Sequence, residues 1–418
     1  MTNEDTKHAA AKPDDESLWR YARATGMDRR EFLRLLIVGG SALVIAACSG
    51  NLFKGESAAP TLTPVGQRLF FKDPSPFIAR DEVGLEARLE NMQGLITPNE
   101  YFFVRNNGPT PVVDVSNWQL SIEGDAIAEP LQLSFEELQR LPSRTYISYL
   151  ECAGNHRAMF GILQGRQSSG TQWATGAIGN GEWTGVSLRD VLTLAGIDDA
   201  AVSVLLVGLD TEAPENGFRY VLPVDKAMNA DTVLAYSLNG EPLPKDHGFP
   251  LRAVVPGWVG SSHIKWLGRI VVSSEKLWTR NNTTSYVLIG DDYPPEGEAC
   301  GKPVTMQVIK SALALPWPAQ LEKGQHHIHG YAHSPAGPIS RVEWSADSGR
   351  TWRAADLTTP QPDFSWVKFE FTWDAEAGEH TIMTRATDSA GNTQPNHVPF
   401  NEKGYLFNQP LPHPIRVA

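Results

Sequence analysis

The sequence predicts an α+β domain followed by an immunoglobulin-like β-sandwich, and three observations carry that expectation. Across 418 residues the chain is 41% hydrophobic and 20% charged, which is enough apolar surface for sizeable cores; at roughly 150 residues per domain, two or three are expected. From about residue 91 to 290, short β-type and helical runs alternate irregularly, without the regular βαβ series of a doubly wound sheet. From about 325 onward, strand-like runs recur between turn signals, the spacing of a sandwich without the cysteine pair of antibody domains.

Residues 1–48 read as a targeting segment. Polar residues 1–27 lead to Asp28-Arg29-Arg30-Glu31-Phe32-Leu33-Arg34 and then to the apolar run Leu35–Ala47, a basic pair before an apolar stretch. As a helix that run rises about 20 Å, short of a bilayer core. Arg29 and Arg30, with Phe32 and Leu33 behind them, resemble a twin-arginine signal, although Asp28 stands where Ser or Thr is usual. Ile45-Ala46-Ala47-Cys48 resembles a lipobox, which would make Cys48 a lipidated N-terminus and so a membrane anchor. The expected location is periplasmic, by the twin-arginine route. Seven basic and seven acidic side chains cancel within residues 1–48, so the remainder carries the whole net charge of −12.

Residues 49–90, with Pro, Ser and Gly, read as a linker and arm. In the 91–290 domain, Tyr146–Leu150 and Val202–Val207 have the continuous apolar character of buried strands. Ser134-Phe135-Glu136-Glu137 is a capped helix start, since Glu137 follows Ser134 by three positions. Ser187–Leu192 opens a second short helix that ends near Gly196. Residues 291–324, with Pro294, Pro295, Pro303, Pro316 and Pro318, read as a connector. In the 325–418 sandwich, Ser340–Ser345, Val367–Phe371 and His380–Ala386 are strands, and Asp347-Ser348-Gly349 and Ala390-Gly391-Asn392 are turns.

The balance of 48 acidic against 36 basic residues disfavours a general nucleic-acid coat. Three cysteines exclude a disulfide-dense scaffold and are too few for a zinc ribbon. No solenoid or propeller repeat is visible, and no Gly-x-Ser-x-Gly, Gly-x-x-x-x-Gly-Lys-Ser/Thr or Gly-x-Gly-x-x-Gly motif occurs.

Chemistry concentrates in three segments. In Glu151-Cys152-Ala153-Gly154-Asn155-His156-Arg157, Cys152 ends a buried-looking strand and enters a Gly-Asn turn, a place that presents reactive or ligating side chains. With no second Cys nearby, the thiolate is a nucleophile, one ligand of a metal whose other ligands are not protein, or a small core residue. In Asp246–Leu267, the polar groups His247, Arg252, His263 and Lys265 alternate with Gly and Pro around an apolar strand. That arrangement suits an anionic, phosphate-bearing ligand or a basic surface loop. Arg105 closes the aromatic strand Tyr101–Val104, where an acidic partner is the alternative to a functional role. His326-His327-Ile328-His329 puts His327 and His329 on one face of a strand; with no acidic ligand nearby, a metal site there is disfavoured.

Taken in order, these segments resemble the sulfite oxidase family of mononuclear molybdenum enzymes. The resemblance runs through Thr97–Asn106, Cys152–Asn155, Thr175–Ile178, Gly208–Asp210, Leu234–Tyr236, Asn239–Pro250 and Lys265–Gly268. In the sandwich, Asp347–Trp352 and Ala386–Pro395 match the family's dimerisation domain, which implies a homodimer. The resemblance implies a molybdenum–molybdopterin cofactor, with Cys152 as the single protein ligand of the metal. Two sulfurs from the pterin dithiolene make one soft protein ligand sufficient. By the same resemblance Arg105, Asn106, Asp210, His247, Arg252, His263, Ile264 and Lys265 hold the cofactor. Arg105, Arg157, Trp173 and Tyr286 form the pocket for an oxyanion, and Arg416 is one alignment for a further arginine reaching it. Export of the folded chain suits such a cofactor. Asn107 departs from the family, standing where many members have His.

The implied reaction is oxygen-atom transfer to sulfite or a related sulfur oxyanion. No Cys-x-x-Cys-His haem motif occurs, so the electrons are expected to leave to a separate carrier such as a c-type cytochrome. The alternatives are a sulfane dehydrogenase subunit acting on protein-bound sulfur, or a non-catalytic, lipid-anchored binding protein with a vestigial first domain.

Overall fold

The computed structural model describes residues 69–418. The twin-arginine and lipobox readings at Arg29, Arg30 and Cys48, and the arm up to residue 68, lie outside the described residues.

The first domain is built from two sheets and short helices. One sheet runs Glu241–Pro242, Val233–Leu238, Ile178–Ser187, Ser143–Glu151, with Arg252–Val254 also paired to Val233–Leu238. The other runs Leu131–Ser134, Gln119–Gly124, Leu267–Ser273, Ser203–Gly208, Arg219–Pro223. Its one parallel pair joins Gln119–Gly124 to Leu267–Ser273. Leu120, Ile122, Leu206, Ile270 and Val272 share a core with Leu234 and Ala253 of the first sheet. The capped start at Ser134 opens the helix Phe135–Arg140: the Ser134 hydroxyl accepts from Glu137 N, and Ser134 N donates to the Glu137 carboxylate at 2.9 Å. The second expected helix is Leu188–Leu194.

The strand foreseen at Tyr146–Leu150 is Ser143–Glu151, whose last four residues are buried. Residues that the sequence assigns to the arm also fold onto this domain. Ile78–Asp81 and Gly84–Glu86 join Val104–Arg105 in a three-stranded sheet, which sets Arg105 beside Gly84.

The second domain is an eight-stranded ladder that curls over its own core. Its order is Lys310–Leu313, Gly324–His333, Val367–Ala375, Arg353–Leu357, Ile339–Ser345, Gly378–Asp388, His413–Val417, Ala319–Leu321. Inward and outward residues alternate along Val367–Ala375, the period of a half-buried strand. Val342, Trp344, Phe369, Phe371, Ile382 and Ile415 fill the interior. The stretch read as a connector, 291–324, therefore supplies two of the eight strands. The histidines just after it are engaged in hydrogen bonds: His327 Nδ1 meets the Thr372 hydroxyl, and His329 Nε2 meets the Met92 carbonyl of the first domain. No group of metal-ligating side chains gathers there among the described residues.

The two domains share apolar cores. Phe102, Tyr149, Trp173 and Trp183 pack in one cluster with Ala312, Tyr331 and Trp366. Met159 and Phe160 pack with Phe400 and Phe407. Among the described residues no helix is long and apolar enough to cross a membrane.

Candidate active site

Cys152 stands where the Ser143–Glu151 strand ends and the chain turns. Its N–H still donates to Ala177 O at 2.9 Å, and Asn155 N closes the turn on Cys152 O at 2.9 Å. The Asn155 side chain fixes the turn from inside, accepting from Ala177 N and donating to the Glu151 carboxylate. Gly260 lies against the turn, where a Cβ would sit 2.9 Å from Glu151 O. Arg105, Asn107, Cys152, Phe218 and Tyr286 line two adjoining cavities, and Asn107 is exposed between them.

The inner cavity, of about 700 Å³, gathers Asn106, Asp210, His247, Arg252, Ser261, His263 and Lys265 beside Arg105. Burial dominates its electrostatics. It lowers the Arg252 guanidinium to about 9 and holds the Lys265 ammonium and the His247 imidazole well below their usual values. Burial also raises the Asp210 carboxyl, which accepts from Phe218 N at 2.9 Å. Lys265 Nζ donates to Asn106 Oδ1 and, at 2.9 Å, to Asp246 O. Arg105 Nη1, His247 Nε2, Arg252 Nε and Ser261 Oγ are buried without a hydrogen-bond partner. Donors desolvated in this way fit an anionic ligand carrying several acceptor oxygens, such as a pterin phosphate.

Two of the residues foreseen for the cofactor stand differently. The Ile264 side chain is fully buried in the core between the two sheets, packed with Leu251 and Ala253 and not in the cavity wall, while its carbonyl accepts from Ala253 N. His263 lines the cavity, but both ring nitrogens serve the backbone: Nδ1 accepts from Val255 N at 3.3 Å, and Nε2 meets Trp258 O at 3.3 Å. Burial holds this ring neutral, down to about 3.

The outer cavity is wider, about 1560 Å³, and strongly cationic: Arg80, Arg105, Arg157, Arg280 and Lys403 line it with Asp81. Arg157 is anchored by Nε donating to Lys403 O at 2.7 Å and Nη1 to Thr171 O at 2.6 Å. Its guanidinium lies 5.1 Å from the Tyr405 ring centre. Tyr286 stacks on Tyr405 with centroids 5.5 Å apart, and burial raises its hydroxyl pKa, keeping it a phenol and hydrogen-bond donor. Trp173 is fully buried against Phe103, and its Nε1 has no partner.

Sequence reasoning missed several participants. Asp246 ties the arm to the inner cavity by accepting from Phe71 N and Lys72 N, and Ser261 brings an unpartnered hydroxyl. Lys403 and Tyr405 arrive on the long loop between the sandwich strands Gly378–Asp388 and His413–Val417 and carry no local motif. Arg416 is not the residue that reaches across. It is an exposed side chain on His413–Val417, 3.7 Å from Glu379.

A family model described as an oxidoreductase molybdopterin binding domain matches residues 107–280, and one described as a Mo-co oxidoreductase dimerisation domain matches residues 303–413. Mitochondrial sulfite oxidase of Mus musculus is 34% identical over 365 residues, covering 84% of this chain; the chain spans 64% of that protein's length. Sulfite oxidase of Arabidopsis thaliana is 34% identical over 344 residues, covering 74% of this chain and 86% of that one. The crystal structure of the sulfane dehydrogenase SoxCD from Paracoccus pantotrophus superposes with a TM-score of 0.71 at 26% identity, over 88% of this chain and 96% of that chain.

Proposed function

Since this chain belongs to the sulfite oxidase family of molybdopterin oxidoreductases, we propose that it oxidises sulfite to sulfate and passes the two electrons to a separate carrier. The observation that carries this reading is the position of Cys152 at the junction of an inner and an outer cavity, both lined by cationic side chains. Sulfite and water become sulfate, two protons and two electrons. The molybdenum cofactor, when bound, supplies the redox couple and the oxygen exchange.

This chain's residues bind and orient. Cys152 is the one soft protein ligand of the metal. Arg252, Lys265, His247 and Ser261 hold the pterin phosphate; Arg252 Nε, His247 Nε2 and Ser261 Oγ are buried without another partner, and Lys265 reaches the same cavity from its bonds to Asn106 and Asp246. Arg105, Arg157 and Lys403 draw the substrate anion into the outer cavity and offset its charge. Tyr286, kept as a phenol by burial, donates to a substrate oxygen, and Trp173 closes the wall against water.

The test is metal analysis of the purified chain together with sulfite-dependent reduction of ferricyanide. We expect about one molybdenum per chain with turnover, and loss of turnover in a folded Cys152→Ala variant. A chain without molybdenum, or a Cys152→Ala variant with full activity, overturns the reading. The structural likeness to sulfane dehydrogenase SoxCD supports a second reading, oxidation of a sulfur carried on a partner protein; molybdenum without sulfite turnover would select it.

The carrier proposed is a c-type cytochrome, and the sandwich supports assembly as a homodimer. The leader motifs at Arg29-Arg30 and Ile45–Cys48 support export to the periplasm, with lipid anchoring at Cys48. Fractionation of cells producing the chain tests that location; retention of the mature protein in the cytoplasm would count against it.

A further inference from the structure

The turn that presents Cys152 is held from the neighbouring domain. Glu151, immediately before it, is fully buried, and Lys310 Nζ donates to its carboxylate at 2.7 Å from the first strand of the sandwich. The same ammonium reaches Asn155 O, at the other end of the turn, at 3.3 Å. Gln307, just ahead of that strand, donates to Glu151 O at 2.8 Å. Within the turn, Asn155 Nδ2 donates to the Glu151 carboxylate at 2.9 Å.

A second sandwich residue backs this grip. His333 stands directly opposite Lys310 on the adjacent antiparallel strand, and its Nε2 lies 3.5 Å from the second Glu151 oxygen. Tyr149 and His156 complete the surroundings: the Tyr149 ring centre is 4.3 Å from that of His333, and His156 feels the charge of Lys310. Glu151 Oε2, His156 Nδ1 and His333 Nδ1 are all buried without partners.

A buried ion pair of this kind is a poor source of stability, because apolar side chains of the same volume avoid its desolvation cost. What the pair does provide is geometry. One lysine pins both ends of a four-residue turn whose first member, Cys152, must point at a fixed place.

We propose that Lys310 is a positioning residue for Cys152. Gripping the turn through Glu151 and Asn155, it fixes the direction and reach of the thiolate, so the sandwich is a working part of the metal-ligating site and not only an assembly module. This rests on the reading of Cys152 as the metal's protein ligand.

The test uses the full chain as Lys310→Met and as the double variant Glu151→Gln/Lys310→Met, which leaves no lone charge inside. Three quantities are read: melting temperature, sulfite kinetics, and the rate at which iodoacetamide alkylates Cys152, located by mass spectrometry. In Lys310→Met we expect kcat to fall about tenfold or more with KM within about twofold, and alkylation to quicken about fivefold. In the double variant the melting temperature recovers while kcat and alkylation do not. If kcat and alkylation recover with the melting temperature, or if Lys310→Met folds with the wild-type alkylation rate, the proposal fails. Should Lys310→Met not fold, the double variant decides. A wild-type chain without molybdenum or turnover overturns the functional reading separately, and the alkylation comparison still decides this one.

Discussion

Arg157 is seated by three glycines, and among the described residues its hydrogen bonds run to backbone carbonyls and not to a carboxylate. A Cβ on Gly154 or Gly170 would approach its guanidinium nitrogens to 2.4 and 2.9 Å, and one on Gly404 would meet its Cγ at 2.4 Å. The carbonyls of Thr171 and Lys403 orient the group without neutralising it, which leaves the charge available to an anion. Replacing Arg157 with Gln is expected to raise the KM for sulfite about tenfold or more with a smaller change in kcat; steady-state kinetics check this, and an unchanged KM removes Arg157 from the pocket. Arg157 and Cys152 were both legible in the sequence because they share one short segment with the turn that presents them. Lys403 was not, because its importance comes from a loop some 246 positions away that only the fold brings alongside.

At the scale of elements, the loop Ala174–Ala177 shows how backbone packing braces the strand end at Cys152, whose N–H donates to Ala177 O. Its N–H groups at Ala174, Thr175 and Gly176 donate to the Glu86 carboxylate at 3.1, 3.0 and 2.9 Å. The close approach needs glycine at 176, where a Cβ would lie 1.8 Å from the Ala87 carbonyl oxygen. Gly176→Ala is therefore expected to destabilise the chain by about 1–3 kcal/mol, since the nearest contact is backbone and cannot swing aside. Denaturant unfolding measures it, and an unchanged midpoint would show that the loop can shift. Elements with a period or a cap were readable from sequence: the Ser134 capping box, the alternating Val367–Ala375 strand, the buried end of Ser143–Glu151. Lys310–Leu313 was not, because all four of its residues are buried and it shows no alternation.

Across the whole molecule, shared apolar clusters make the two domains one body, and folding buries titratable groups in the cavity, at the domain contact and within the sandwich. His333 and His413 are pushed down to about 4 and His263 to about 3 from 6.5, all chiefly by burial, while His156 and His247 lie well below that value. Each is neutral in the folded chain and takes up a proton on unfolding once the pH is below 6.5. The unfolded state then binds more protons, so stability falls as the pH falls. The melting temperature is accordingly expected to decline from about pH 6.5 down to about pH 4, and to change little through these groups above about pH 7. Scanning calorimetry across that range checks it; a flat profile would mean these rings are hydrated in solution.

The sequence by itself determined the family and the pairing of an α+β domain with a sandwich, and it pointed to Cys152, Arg105, Arg252 and Lys265, which line one cavity. Those features are written in local patterns, where a strand, a turn and a cation lie within a few positions of each other. Tertiary structure alone decided that Ile264 belongs to the core and that His263 spends both nitrogens on backbone. It also decided that Arg416 faces solvent, while Lys403, Tyr405 and Lys310 converge on the site from the other domain. The physical reason is distance along the chain. Burial and charge at a site are sums over groups that only folding brings together, and no local pattern records them.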